Sequence, residues 1–447
     1  MSTSFTFDQI KMNPITGEVH FFYILTKGTK TYQFDEKISL PLSDKLNDKD
    51  PLVQKMLQSV HIAVGMSYWK VYCPTEIFFS SYQLSKTQAD FWNTVYTKGM
   101  GELYFKNSLD YRNLIHFPFD ESIQNDQTDC ILKDRSLVGI GGGKDSIVSA
   151  RLLQNEALSF DGFIVETQKK YSVASDVSKE LNVKAITVAR FIDPQLFEVN
   201  NSAGVFNGHV PISVIYALLG VLCAYLYDYK NVIVSNERSS DHGNIEYLGE
   251  MINHQWSKSS EFEQLFQKFI SQTFTPQINY FSLLRPLSEL QIAQIFSKEK
   301  QFHQIFSSCN RNFAINNPGS NLWCGTCPKC AFTFILMAAY SSKGEVLNIF
   351  GDNFLDKKEL LPLYKQLFGT EGHKPFECVG TPDEAVVAMT LIHEKREFED
   401  TLVMKEFVQN ILPNNDTVNK LKHDVLVSKS PHMIPHEFQS IISNISL

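Results

Sequence analysis

An α/β protein built around a parallel sheet is the fold class this sequence predicts, and three observations carry it. Between residues 131 and 340, strand-like runs of β-branched and apolar residues alternate with helical runs. The first of those strands ends in a run of three glycines that leads straight into a helix. Ahead of them, residues 4–40 hold shorter β-type runs separated by turn signals.

The early runs are FTFDQI, VHFFYIL and KTYQFDE, broken at Asn13-Pro14, Gly17 and Gly28, and they predict a small sheet. Residues 51–110 are more helical and rich in aromatics, a pattern that predicts a packing core. The polar stretch DESIQNDQTD at 120–129 marks a boundary, giving an α+β N-terminal domain over 1–130. In the second domain, 131–340, strands are expected at SLVGI (136), DGFIVE (161), VKAITVA (183) and NVIVSNE (231). Helices are expected at 144–154, 171–181 and 211–227. The third region, 341–447, reads as helical, with a terminal helix near 436–445.

Bulk properties narrow the function classes. A chain of 447 residues can bury two or three cores without disulfide staples, and 34 phenylalanines point to substantial apolar interiors. The formal charge of -8 gives no global field towards nucleic acid or an anionic membrane. The N-terminus lacks the basic and apolar regions of a secretory signal, so a cytoplasmic protein is expected. The apolar run Pro211 to Tyr227 is interrupted by Ser213, Gly220 and tyrosines, which favours a buried helix over a membrane span.

The chemistry is expected at Gly141-Gly142-Gly143-Lys144-Asp145-Ser146, between strand and helix. Glycines let the backbone approach phosphate oxygens, and the unpaired amides of a helix N-terminus favour negative charge. Ser146 can donate a hydroxyl, and Lys144 can neutralise charge on a phosphate. Asp145 after Lys144 excludes the Gly-Lys-Ser/Thr loop of kinases and GTPases, and the spacing excludes the Gly-x-Gly-x-x-Gly fingerprint. The run resembles the Ser-Gly-Gly-x-Asp-Ser loop of the ATP pyrophosphatase (PP-loop, HUP-like) superfamily, with Gly141 in place of the usual first serine. That resemblance implies ATP as the nucleotide, cleavage to AMP and pyrophosphate, and a substrate adenylate. Asp145 is expected to support the nucleotide or its Mg2+. A purely structural glycine turn is the plain alternative.

Cys324, Cys327 and Cys330 form two successive C-x2-C steps, with Cys309 upstream. Four thiolates can enclose Zn2+ in a closed structural site; reduced unmetallated thiols and a redox pair are the other readings. The apolar run AFTFILMAAY that follows reads as a core helix.

Taken together, GIGGGKDS at 139, SNERSSDHGN at 235 with INHQWSKSSEFE at 252, LWCGTCPKCAF at 322 and HKPFECVGTPDE at 373 resemble the UDP-N-acetylmuramoyl-L-alanyl-L-glutamate epimerases. The resemblance covers most of the chain. It implies inversion of the terminal L-glutamate of a UDP-muramoyl dipeptide during peptidoglycan synthesis, coupled to conversion of ATP to AMP and pyrophosphate. Adenylation removes the carboxylate charge that opposes carbanion formation at the neighbouring Cα.

Against this scheme, Asn236, Glu237 and Arg238 follow a strand beside the phosphate loop, where an arginine fork can clamp carboxylate or phosphate. A solvated polar loop is the alternative. Asn253, His254 and Lys258 are substrate-contact candidates, with Ser259 or Ser260 a cap for the next helix. Cys378 is the candidate thiolate base, on the pattern of cofactor-independent racemases; an inert buried thiol is the alternative, and His254, Lys258 and Glu237 are rivals for the role. A 7-cyano-7-deazaguanine synthase-like ligase shares a loop and a four-cysteine site but leaves 1–130 and 340–447 unexplained. A zinc-ribbon binding module with a non-catalytic loop is the reading from outside the enzymes.

Overall fold

The computed structural model describes residues 2–125, 127–167, 172–312, 321–427 and 431–445. Among the described residues eleven strands form in chain order: β1 (Thr3–Asn13), β2 (Glu18–Lys27), β3 (Lys30–Ser39), β4 (Glu76–Phe79), β5 (Lys133–Gly139), β6 (Phe160–Thr167), β7 (Ala185–Phe191), β8 (Tyr229–Val234), β9 (Ile245–Tyr247), β10 (Glu250–Ile252) and β11 (Asn279–Ser282). β9 and β10 make a separate two-stranded hairpin. The other nine lie in one sheet in the order β11-β8-β5-β6-β7-β3-β2-β1-β4.

All four pairings within β11-β8-β5-β6-β7 are parallel. In chain order this half reads 5-4-1-2-3, the doubly wound order that opens a ligand crevice between its first and fourth strands, here β5 and β8. The N-terminal strands do not stand apart as a small sheet. β3 pairs antiparallel with β7 through Lys37↔Phe191 and Ser39↔Ala189, which makes one mixed sheet. At that seam Arg190 Nε donates to Glu36 Oε1 at 2.5 Å and Tyr68 Oη donates to Glu36 Oε2 at 2.7 Å, so the buried pair is fully engaged.

Local sequence explains both halves. Burial along β2 alternates strictly, as expected of an antiparallel strand with one covered face, while Val232 and Ile233 of β8 are both buried, as expected of a parallel strand covered on two. Consecutive residues Leu137 and Val138 of β5 belong to different buried clusters, one on each face. One face carries the helices Pro51–Trp69 and Ile212–Leu226. Asp50 caps the first of these by accepting from the amides of Leu52 and Val53, with Pro51 in its first turn. The other face carries Lys144–Asn155, Glu289–Phe296 and Pro328–Tyr340, the last containing the expected core run AFTFILMAAY.

The helix expected at 171–181 is Ser172–Glu180, Tyr171 lying outside the described residues, and the terminal helix is His436–Ser443. The run at 211–227 is a buried helix, and among the described residues no helix is long and apolar enough to cross a membrane.

Candidate active site at the crevice between β5 and β8

β5 ends at Gly139, and the helix Lys144–Asn155 begins four residues after Ile140. Gly142 has φ +82, and a Cβ there would sit 2.6 Å from Val173 Cγ1, so glycine is required by both conformation and space. Gly141 has the opposite surroundings: a Cβ would meet nothing within 4 Å. Gly143 is the N-cap without a side-chain hydrogen bond, which leaves first-turn amides of the helix available to a ligand. Ser146 Oγ donates to Gly143 O at 2.9 Å. Gly141, Gly143, Asp145 and Ser146 line a cavity of 600 Å³ that also takes in Asn236, Lys258 and Cys378.

Lys144 is placed differently from its neighbours. It is outside the cavity lining, buried, with its ammonium paired to both Asp145 and Glu289. Burial opposes its charge, but the two carboxylates outweigh burial and raise its pKa. Glu289 is pushed up to about 7 by burial, against the pull of Lys144 and with the push of Asp145 and Glu237. Burial and Asp145 also raise Glu237. One oxygen from each of Asp145, Glu237 and Glu289 lies within 4.8 Å of the others. The Lys144 ammonium already lies against Asp145 and Glu289, and of the three carboxylates Asp145 alone lines the cavity, where a hard divalent cation such as Mg2+ could be met.

Of the residues after β8, Asn236 lines the cavity and Glu237 joins the carboxylates. Arg238 is directed elsewhere, donating to the carbonyls of Asp424 and Val425, each at 2.7 Å, in the helix Asn415–Leu426. Asn253 donates to Ser240 O at 2.8 Å and accepts from Gln255 N, so its amide is used within the loop. Ser259 caps the next helix by accepting from Phe262 N.

Lys258, His254 and Cys378 come together. Lys258 Nζ is 3.2 Å from Cys378 Sγ, and His254 also acts on the thiol. Burial pushes the thiol up, but the Lys258 ammonium, His254 and Lys329 together hold it well below its ordinary value. His254 is raised to about 9: burial disfavours its charge, while hydrogen bonds with Cys378 and Glu102 favour it. His209, its ring centroid 4.3 Å from that of His254, is pushed down to about 3 by burial and the His254 charge. Cys378 is therefore buried beside Lys258 and His254, with the Glu102 carboxylate behind His254.

Two of the groups that arrange this site were not apparent in the sequence. Glu102 sits in the aromatic-rich GMGELYF run, where a lone acid among apolar residues is its one signal. Arg285, fully buried, binds Glu237 O at 2.7 Å and Lys258 O at 2.5 Å while pairing with Glu263 at 2.9 Å. A single guanidinium thus fixes the backbones that present Glu237 and Lys258. The Cys378 loop is tied down by Gln255 Nε2 to Val379 O at 3.1 Å and Asn244 Nδ2 to Pro375 O at 2.8 Å.

The four cysteines also converge. Their sulfurs lie 3.5 Å (Cys327–Cys330), 3.7 Å (Cys324–Cys330) and 4.0 Å (Cys309–Cys327) apart, all four within 4.8 Å. A zinc tetrahedron with ~2.3 Å bonds has edges of about 3.8 Å, so these thiols fit the ion. Cys327 is the N-cap of the helix Pro328–Tyr340, whose positive end favours thiolates.

A glycine turn at a helix N-terminus and a thiol set beside two basic side chains open on one cavity, at the crevice of a doubly wound sheet, the arrangement of an α/β enzyme. Two family models match, one described as the MurL N-terminal domain over residues 1–283 and one as the MurL C-terminal domain over residues 305–422. Among curated relatives, the UDP-N-acetyl-alpha-D-muramoyl-L-alanyl-L-glutamate epimerase of a Micromonospora strain is 34% identical over 98% of each chain. Those of Xanthomonas oryzae pv. oryzae and Salinispora tropica are 35% and 34% identical, over 86% and 91% of this chain and 84% and 89% of their own. The chain belongs to this epimerase family and is an isomerase.

Proposed function

We propose that this chain inverts the terminal glutamate of UDP-N-acetylmuramoyl-L-alanyl-L-glutamate, and that it activates the glutamate with ATP, releasing AMP and pyrophosphate. The observation that carries the reading is that the glycine turn and the Cys378 thiolate line one cavity. We read the parallel half of the sheet as a PP-loop domain, a reading supported by the strand order and by the glycine turn after its first strand.

In this scheme the amides of Gly141 to Gly143 and the helix N-terminus hold the phosphates. An oxygen of the substrate's terminal α-carboxylate attacks the α-phosphorus, the bond to pyrophosphate breaks, and an acyl adenylate forms. With the carboxylate charge gone, the Cys378 thiolate takes the Cα proton and the electron pair moves into the acyl carbonyl. A proton delivered to the opposite face inverts the centre, and water then releases AMP. His254 and Lys258 keep Cys378 ionised and stabilise its charge, and Glu102 keeps His254 protonated. Asp145, the one carboxylate of its cluster that lines the cavity, would hold Mg2+, which supplies charge neutralisation on the phosphates. The four cysteines would hold a structural Zn2+.

Turnover in deuterated water tests the proton-transfer step. Deuterium is expected at Cα of the D-glutamate product, and product without it would refute a proton-abstraction route.

A further inference from the structure

The four-cysteine cluster is built into the cavity wall at two places. Ser307 N donates to Gly142 O at 3.1 Å, and Ser308 Oγ lies 3.1 Å from the position a Cβ would take on Gly143, so this segment lies against the glycine turn. Ser307, Ser308 and Asn310 line the cavity, whereas Cys309 between them is buried in the thiol cluster. Lys329, set between Cys327 and Cys330, lines the same cavity. Holding the four sulfurs together therefore also holds Ser308 and Lys329 at the cavity surface.

The charges nearby give Lys329 a distinct standing. Lys144 is paired with Asp145 and Glu289, Lys258 with Cys378, and Arg190 with Glu36. Lys329 is half-buried and makes no direct hydrogen bond or ion pair among the described residues, its charge reaching Cys378 and Glu289 only through space. Its ammonium donors are therefore open to an anion that enters the cavity.

We propose that Lys329 and Ser308 bind phosphate oxygens of the nucleotide alongside the glycine turn, and that the cysteine centre is the scaffold that holds them there. The proposal rests on the ATP reading given above.

Equilibrium binding of α,β-methylene-ATP with Mg2+ to the full chain tests it without turnover, alongside bound-metal content and melting temperature. Lys329→Gln should weaken binding roughly 10- to 100-fold, the worth of a charge-assisted contact, with metal content and melting temperature unchanged. Lys329→Arg should recover most of the affinity. Binding by Lys329→Gln within about twofold of the parent would overturn the proposal, as would a loss confined to the muramoyl dipeptide. Should Lys329→Gln shed its metal, Ser308→Ala decides: a loss of about 3- to 10-fold is expected for one neutral hydrogen bond, and unchanged affinity would overturn the claim. Parent protein that epimerises its substrate yet does not bind the analogue would instead refute the ATP reading itself.

Discussion

Replacing Lys258 by methionine should raise the pKa of the Cys378 thiol, the group proposed to take the Cα proton. The methionine keeps the length of the buried stem and removes the ammonium that stands 3.2 Å from the sulfur. At that distance, and an effective dielectric of about 20, two unit charges attract by about 5 kcal/mol, which bounds the rise at about 4 pKa units. Loss of one charge-assisted hydrogen bond, about 1.5–3 kcal/mol, sets the lower expectation at about 1–2 units. His254 remains beside the thiol and keeps part of the effect. The sign follows from the site. In the parent, Cys378 is held well below its ordinary value and His254 is raised to about 9, so the thiolate–imidazolium pair persists across the neutral range and dissolves as pH approaches 9. The rate of iodoacetamide alkylation at Cys378, read by mass spectrometry against pH, should be nearly flat between about pH 7 and 8.5 in the parent. In Lys258→Met the whole profile should be displaced to higher pH than in the parent. Identical profiles would refute the claim that Lys258 sets the ionisation of Cys378.

Other changes probe separate parts of the site. Gly142→Ala should destabilise the fold by about 1–3 kcal/mol, because φ +82 and the 2.6 Å approach to Val173 both oppose a side chain. Gly141→Ser, with open space around it, should melt within about 0.5 kcal/mol of the parent; calorimetry separates the two. Glu102→Gln should lower the pKa of His254 from about 9, visible in its imidazole proton resonances during an NMR titration. Stability from His254 is full below the ordinary histidine value and lost as pH rises through about 9, so the parent should be the more stable of the two at neutral pH and the two should converge above pH 9. Elemental analysis should find about one zinc ion per chain, and Cys327→Ala should reduce both metal content and melting temperature. Asp145→Ala should leave the fold intact and abolish AMP formation; full epimerisation by that variant would refute activation by ATP.

Much of the fold could be read from local pattern. The runs at 136, 161, 183 and 231 are β5 to β8, because each is long enough to carry its own hydrophobic signature. β4 and β11, of four residues each, and the three-residue β9 and β10 carry too short a signature to be seen. The joining of N-terminal strands to the parallel half depends on pairing Ser39 with Ala189, a contact across 150 residues that no local pattern encodes.

The site divides the same way. The glycine turn and the C-x2-C-x2-C steps are local, and their geometry followed. Cys378 stood out only as one of several candidates, since what distinguishes it is Lys258 and His254, more than a hundred residues earlier. Lys144 and Arg238 show the converse. Charge and position suggested ligands, but buried Glu289 and the carbonyls of Asp424 and Val425 are their partners in the structure. Arg285 acts through backbone carbonyls, which leave no trace in side-chain spacing.

Phosphorus NMR of the nucleotide during turnover of the UDP-muramoyl dipeptide bears most directly on the account. AMP and pyrophosphate should appear together, one of each per glutamate activated in the dipeptide, and only when the dipeptide is present. ADP with inorganic phosphate, or inversion that proceeds without any nucleotide, would contradict the account.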